Sequence, residues 1–471
     1  MKPMDIGVVG LAVMGQSLAL NIESRGYSVA VYNRTSKKTE AFIDSRTAGK
    51  PITAAYSLEE LVQSLDKPRR VFMMVKAGDP TDALIEKLLS LLEPGDVLMD
   101  GGNAHFEDTD RRCRAAEEHG VLYLGVGVSG GEIGALLGPA IMAGGSEEAY
   151  GIAGSMLESI AADGPRGPCC AFFGPGSAGH YVKMVHNGIE YAIMQALCEA
   201  YDLMHRGLGM AADEMADVLS AWNEAELESY LVEITEKILR QSDADSDDPL
   251  VEMILDTAAQ KGTGKWSSQS ALDLGAPSPS IAAAVFARIM SSMKADRVKA
   301  EPLLPGPSPS LSMEREDAVG ALFSAVLCTA ISAYSQGFRQ LLSASKERSY
   351  GLDLAEVARV WMAGCIIRAR LLVPMAKAFQ RQPDLPMLLL GEPFRSLWGK
   401  HQAQFRRLVA RAHEAGIPVP AMSSALDFVD AYRTSRLPAN LLQAQRDFFG
   451  AHTYQRIDRD GSFHTEWEQV Q

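Results

Sequence analysis

Five chemically distinct polar side chains, Lys183, His186, Asn187, Glu190 and Tyr191, fall at i, i+3, i+4, i+7 and i+8 in an otherwise apolar run. On an α-helix this spacing confines them to one arc of roughly 140°. Tyr181, Val182, Met184, Val185, Ile189, Ala192 and Ile193 fill the places around them. A polar arc on such a helix is ordinarily its solvated face, and solvated faces repeat Lys, Glu and Arg. This one offers an amine, an imidazole, an amide, a carboxylate and a phenol once each, a set that suits a reacting ligand better than water. Lys183 and Glu190 are about 10 Å apart along the axis, which leaves room for a small substrate between a base and an acid. Ser177, after the Gly174, Pro175, Gly176 turn, is the predicted N-cap.

The elements that position this stripe begin at the N-terminus. The apolar strand Ile6, Gly7, Val8, Val9 runs into Gly10, Leu11, Ala12, Val13, Met14 and Gly15, and a helix follows to Ser24. Strand, Gly-rich turn and helix in that order form a dinucleotide site, with backbone amides at the helix N-terminus receiving the pyrophosphate. Ala12 replaces the usual middle glycine, and its methyl pushes the pyrophosphate outward. A second strand, residues 27–32, leads to Asn33, Arg34 and Thr35, where an NAD site places an acid. Arginine there pairs with a 2′-phosphate and favours NADP; the bland alternative is a plain surface turn. Strand and helix alternate onward, predicting a parallel doubly wound sheet. Its ligand edge carries Val75, Lys76 and Ala77, then Asp100 to Asn103, then Val128, Ser129, Gly130 and Gly131.

From Ser177 to about Ser435 helical periodicity takes over. Residues 209–218 and 351–360 resemble each other, each after an Ala-Tyr pair (Ala200-Tyr201 and Ala333-Tyr334), which predicts a duplicated helical unit whose second copy lacks the polar stripe. Between the copies, Lys261, Gly262, Thr263, Gly264 and Lys265 make a compact anion cradle without the spacing of a Walker motif. Arg288 is either a solvated helical arginine or a further cation for that cradle. Beyond Pro438, Arg446 and His452 precede a polar tail whose large apolar residues are Phe463 and Trp467, a composition suited to docking on a partner subunit. The expected domains are 1–176, 177–435 and an arm over 436–471.

The chain has 471 residues, too many for one core. A net charge of -14 sets it against nucleic acid and anionic membranes. The six cysteines show no metal or redox spacing, which points to reduced cytoplasmic thiols, and no metal-ligand cluster appears. No signal peptide is expected at Met1 to Asp5. Residues 318–338 carry no charge over a bilayer's length, but Ser324, Thr329, Ser332, Ser335, Gln336 and Gly337 predict a buried helix packed through small residues.

The ordered set of Gly10 to Gly15, Asn33 to Thr35, Val128 to Glu132, Lys183 with His186, Asn187, Glu190 and Tyr191, Lys261 to Trp266, and Phe449 to Tyr454 resembles the 6-phosphogluconate dehydrogenase family along essentially the whole chain. The resemblance implies a homodimer with an NADP-binding Rossmann-like domain, a large duplicated all-α domain and a C-terminal arm entering the partner's site. It implies oxidative decarboxylation of 6-phosphogluconate, with Lys183 as base and Glu190 as acid. It also implies that Asn103, Ser129, Gly130, Gly131, His186, Asn187, Tyr191, Lys261 and Arg288 bind substrate, joined by Arg446 and His452 from the partner. Ala140 and Ala143 depart from the family's usual Ser and Pro in what is expected to be a substrate loop, and the arm ends early at Gln471. A simple β-hydroxyacid dehydrogenase shares the Rossmann turn, the Ser-Gly-Gly loop and the Lys183/Asn187 spacing, but not the second helical copy or the Lys261 cradle. An inactive NADP-sensing or scaffold protein would not need Lys183 and Glu190.

Overall fold

The computed structural model describes residues 3–467; Met1, Lys2 and Gln471 lie outside them. Two compact units result, Met1–Ala425 and Leu426–Gln471. In the first, an eight-stranded sheet is built from β1 (Ile6–Val9), β2 (Val29–Tyr32), β3 (Ile52–Ala54), β4 (Arg70–Met73), β5 (Val97–Asp100), β6 (Leu122–Ser129), β7 (Ala140–Gly145) and, after the small hairpin of β8 (Asp163–Gly164) and β9 (Gly167–Pro168), β10 (Cys170–Phe172). The spatial order is β10-β7-β6-β5-β4-β1-β2-β3. Helices α1 (Val13–Ser24), α2 (Ser36–Arg46), α3 (Leu58–Gln63), α4 (Asp79–Leu89), α5 (Phe106–Glu118), α6 (Gly131–Leu137) and α7 (Glu147–Ile160) connect the strands. Two apolar clusters, one holding Val8, Val31, Phe72 and Met99 and the other Val9, Val71, Met73 and Leu98, are the alternating faces of the same strands packed under these helices. β1 pairs in parallel with both β2 and β4, so the strand order reverses there and opens a crevice beyond their carboxyl ends.

The sheet is not wholly parallel. β6 pairs antiparallel with β7, and β10 follows β7 in parallel, so two edge strands run against the rest. Within the stretch expected as a substrate loop, Ala140–Gly145 forms β7 instead, with Ala140 and Ala143 fully buried in it. A proline at 143 would lose ladder bonding and serine at 140 would need a partner, so small apolar residues suit the strand. β6 ends at Ser129, on the expected ligand edge, and glycine replaces its inward side chains at positions 125 and 127.

Those glycines seat the next helix. A Cβ on Gly125 would lie 2.8 Å from the His180 ring, one on Gly127 2.5 Å from Lys183 Cβ, and one on Gly144 2.3 Å from the Gly179 amide. Helix α8 (Ala178–Asp202) therefore rests directly on β6 and β7. The helical half continues with α9 (Ala212–Asn223), α10 (Tyr230–Leu239), α11 (Leu250–Met253), α12 (Thr263–Asp273), α13 (Pro279–Ser292), α14 (Lys294–Ala300), α15 (Arg315–Glu347), α16 (Leu354–Val360), α17 (Leu372–Arg381), α18 (Phe394–Glu414) and α19 (Pro420–Arg433). α15 is long and apolar enough to cross a membrane, yet 83% of that window is buried inside the protein, packed on α8 and α18. Gly337 permits the approach, since a Cβ there would meet Ile189 at 2.5 Å. Gly209 and Gly351 both adopt positive φ just before α9 and α16, as the duplicated stretches suggest, but Tyr201 ends α8 whereas Tyr334 lies inside α15.

The second unit contains α20 (Ala439–Gly450) and a hook folded on a single carboxylate. Buried Asp447 accepts from Thr453 N (2.9 Å), Thr465 N (3.1 Å) and Trp467 Nε1 (2.9 Å), with His464 Nδ1 2.9 Å away. Burial pushes this carboxyl up, but the donated bonds win and hold it down to about 2.

Candidate active site

The polar stripe faces inward. Lys183 is 6% exposed, and His186 and Asn187 are buried with it. Ser177 stands at the N-cap as expected but caps nothing with its side chain: its hydroxyl meets Tyr350 Oη at 2.7 Å and its amide donates to Asp110 at 2.8 Å. Lys183 Nζ donates to Asn187 Oδ1 (2.6 Å) and Ser129 Oγ (3.2 Å). His186 Nδ1 lies 3.0 Å from the same Asn187 Oδ1, which cannot donate, so Nδ1 carries the proton. His186 Nε2 is then the acceptor for Ser129 Oγ at 3.3 Å. Asn187 completes the net by donating through Nδ2 to Thr263 Oγ1 at 3.0 Å.

Burial of this net biases protonation as well as position. Burial drives the Lys183 ammonium down from its ordinary value, with Glu190 only partly opposing. Burial also drives His186 well down, and Lys183 adds to that. Glu190 moves the other way: burial raises it, against the pull of Lys183 and Arg288. Its carboxylate is 3.8 Å from His186 Nδ1 and one-fifth exposed, so it reaches toward the open side of the net. Two titratable groups on one helix are thus biased toward a free amine and a protonated acid, the pairing required of a base and an acid that act in turn.

Around them stand the other predicted residues. Arg288 is half-buried with its guanidinium 3.4 Å from the Tyr191 ring centroid, which decides against a solvated helical arginine. Gly264 serves packing, because a Cβ there would lie 2.5 Å from the Tyr191 ring. Lys261 is exposed just before Gly262, whose left-handed backbone opens α12. Gly130 and Gly131 have positive φ and start α6 at the end of β6. Asn103 is exposed beyond β5, beside His105, whose ring meets Trp266 edge-on at 5.1 Å. Arg446 in α20 and His452 just after it belong to the second unit, where Ala451 and Thr453, on either side of His452, both hold positive φ.

The nucleotide crevice is equally specific in shape. A Cβ on Gly10 would meet Met74 O at 2.5 Å and one on Gly15 would meet Gly10 O at 1.8 Å, so no larger residue fits the turn. Ala12 is the N-cap of α1 and no side chain caps that helix, while Ala12 and Val13 are exposed, leaving first-turn amides for a phosphate. Leu11 is the exception: its amide is taken by Asn33 Oδ1 at 3.1 Å, so Asn33 braces the turn. Arg34 and Thr35 are exposed at the end of β2, and Val75, Lys76 and Ala77 follow β4 across the crevice. The exposed arginine and the uncapped helix fit a dinucleotide carrying a 2′-phosphate. Sequence reasoning missed Thr263 as a partner of the stripe and His180 one turn before it, although both lie inside stretches it had singled out.

Two family descriptions match the chain: the NAD binding domain of 6-phosphogluconate dehydrogenase over residues 5–174, and the 6-phosphogluconate dehydrogenase C-terminal domain over 179–467. A Bacillus subtilis NADP(+)-dependent, decarboxylating 6-phosphogluconate dehydrogenase is 51% identical, covering 99% of this chain and 100% of that one. A decarboxylating 6-phosphogluconate dehydrogenase of Synechococcus elongatus is 52% identical over 98% of this chain and 99% of its own. The solved Plasmodium falciparum 6-phosphogluconate dehydrogenase, studied without ligand, with its cofactor NADP+ and with its substrate 6-phosphogluconate, superposes with a TM-score of 0.93 at 41% identity, covering 98% of this chain and 100% of that one. With the buried stripe, the doubly wound crevice and these matches over its full length, the chain belongs to the 6-phosphogluconate dehydrogenase family.

Proposed function

We propose that this protein oxidises 6-phosphogluconate with NADP to ribulose 5-phosphate, carbon dioxide and NADPH. The observation that carries the reading is the placement of Lys183 and Glu190 two turns apart on one inward-facing helix, the amine held by Asn187 and Ser129 and the acid one-fifth exposed toward the open side. Bound NADP supplies the hydride acceptor. Lys183, a free amine when substrate arrives, takes the 3-hydroxyl proton as hydride leaves carbon 3. Now an ammonium, it donates to the keto oxygen and stabilises the enolate left when the carboxylate departs as carbon dioxide. Glu190 then protonates the carbon that has lost carbon dioxide, which becomes carbon 1 of the ketose, and Lys183 recovers the enol proton.

The substrate's carboxylate and hydroxyls meet Ser129, Gly130, Gly131, His186 and Asn187, with Asn103 between sugar and nicotinamide. Tyr191, Lys261 and Arg288 hold the phosphate end against an acidic protein. Gly10 to Gly15 seat the pyrophosphate, Asn33, Arg34 and Thr35 the adenosine end, and Val75, Lys76 and Ala77 the nicotinamide side. The working division is a nucleotide domain over 1–176, a helical substrate domain over 177–435 and an arm over 436–471. The enzyme is read as a cytoplasmic homodimer in which Arg446 and His452 of a second copy complete the site. Exposed Met253, Ile254, Leu255, Phe286, Leu303 and Leu304 in the first unit, and Leu441 and Phe449 in the second, support a partner surface. The reading is tested by a substrate panel with NADP and NAD. Turnover of 6-phosphogluconate with NADP strongly preferred supports it; equal turnover of phosphate-free 3-hydroxy acids, without carbon dioxide, would favour a simple β-hydroxyacid dehydrogenase.

A further inference from the structure

A buried polar cluster borders the site without being part of it. Asp100, the last residue of β5, and Arg112 of α5 are 0% and 1% exposed. One Asp100 carboxylate oxygen accepts the Gly102 amide at 3.0 Å; the other accepts Arg112 Nη1 and Tyr123 Oη, each at 3.2 Å. Arg112 continues through Nε to Asp82 at 2.8 Å and through Nη2 to the Gly78 carbonyl at 3.3 Å. The Asp100 carbonyl meets His180 Nε2 at 3.0 Å, and His180 Nδ1 lies 2.7 Å from Thr109 Oγ1. A carbonyl cannot donate, so Nε2 carries the proton; burial keeps the ring neutral, and Nδ1 accepts from the Thr109 hydroxyl.

The cluster joins three walls of the crevice. Gly78 ends the segment after β4 that holds Val75 to Ala77, Gly102 lies in the turn that carries Asn103, and His180 precedes Lys183 by one turn of α8. A buried ion pair adds little net stability over apolar residues of equal volume. What it adds is direction: each bond here ends on backbone or on a side chain that sets one wall relative to another. The glycine opposite His180 leaves that ring no slack.

We propose that Asp100, Arg112 and His180 are positioning residues that set Lys183 against the nicotinamide side of the crevice, so that hydride transfer starts from a near-attack geometry. The proposal rests on the reading of the chain as a hydride-transferring dehydrogenase. A misplacement of about 1 Å costs roughly 100-fold in rate, so losing one tie should slow the hydride step far more than it weakens binding.

The test is His180→Leu in the full-length enzyme, with His180→Gln as the conservative variant, since a Gln amide reaches the place of Nε2. In the Leu variant Thr109 keeps its second acceptor, the His105 carbonyl at 3.2 Å. The expected result is a kcat lower by roughly 10- to 100-fold, a KM for 6-phosphogluconate within about threefold, and a larger primary isotope effect with substrate deuterated at carbon 3. His180→Gln should recover most of kcat. If His180→Leu does not fold, Thr109→Val, which removes one hydroxyl from the ring, carries the same readouts in the same direction. A folded variant with wild-type kcat and isotope effect overturns the proposal, as does a lowered kcat with an unchanged isotope effect. Wild-type protein inactive on 6-phosphogluconate would instead contradict the functional reading.

Discussion

Lys183→Met tests the chemistry with little disturbance to the fold. Methionine matches the lysine stem in length and volume, and the site it enters is buried against Gly127. The hydrogen bonds to Asn187 and Ser129 disappear together with the 3.4 Å contact to His186 Nδ1, but Asn187 Oδ1 keeps the His186 proton and Ser129 keeps His186 Nε2. No buried polar atom of those neighbours is stranded, so stability should change by less than about 1.5 kcal/mol. Activity should respond on another scale. General base action contributes about 10²- to 10⁴-fold and oxyanion stabilisation about 10²- to 10³-fold. One amine serves both steps, so a loss in kcat of at least ~10⁴-fold, about 5.4 kcal/mol, is expected. The pH dependence of stability adds an independent readout. The folded pKa of Lys183 is lowered from 10.5, so the unfolded chain binds a proton that the folded chain does not. The Lys183 contribution to stability therefore rises with pH from the lowered folded value up to about 10.5, so the difference in stability between wild type and the methionine variant must carry that slope, the buried cysteines and tyrosines being common to both. NADPH absorbance gives the rates, binding of 6-phosphogluconate confirms an intact site, and denaturant titration across pH gives the linkage. A folded variant that binds substrate and turns over within tenfold of wild type would remove Lys183 from the base role.

Other perturbations separate the remaining parts. Gly15→Ala should abolish NADP binding measured by fluorescence, because the added methyl would sit 1.8 Å from the Gly10 carbonyl; retained micromolar binding would contradict the cradle. Arg34→Asp should shift the NADP to NAD ratio of kcat/KM by about 100-fold toward NAD, and an unchanged ratio would show that Arg34 does not read the 2′-phosphate. Glu190→Gln should slow ketose formation by roughly 10²-fold or more while carbon 3 oxidation continues, visible as NADPH formed in a burst; unaltered steady-state turnover would exclude it as the acid. Asp447→Asn should loosen the hook, shift Trp467 emission and raise the KM for 6-phosphogluconate, whereas an unaffected KM would argue against an arm-completed site.

The sequence revealed most where one residue type has one physical use. Gly10 and Gly15 were legible because a turn that tight admits nothing larger, and the stripe from Lys183 to Tyr191 because five unlike polar groups on a greasy helix have no solvation reason to occur together. Arg288 was ambiguous because a helical arginine looks the same whether it meets water or the face of Tyr191. β7 was missed because Ala140 to Gly145 carries no alternation: it is buried on both faces, and Gly144 is there for the backbone of α8, a partner far along the chain. His180 and Thr263 were missed for a related reason, since their value comes from Asp100, Thr109 and Asn187, contacts made only on folding. The Ser177 hydroxyl was misjudged because Tyr350, 173 residues away, competes for it more closely than the helix amides do.

In the proposed reaction a buried amine and a partly exposed acid on one helix carry out oxidation and decarboxylation of the same sugar acid. Its most direct test follows carbon-1-labelled 6-phosphogluconate with excess NADP to completion, counting NADPH and labelled carbon dioxide together. One carbon dioxide per NADPH, with ribulose 5-phosphate as the residue, is the predicted outcome. NADPH without labelled carbon dioxide, or neither product, would contradict it.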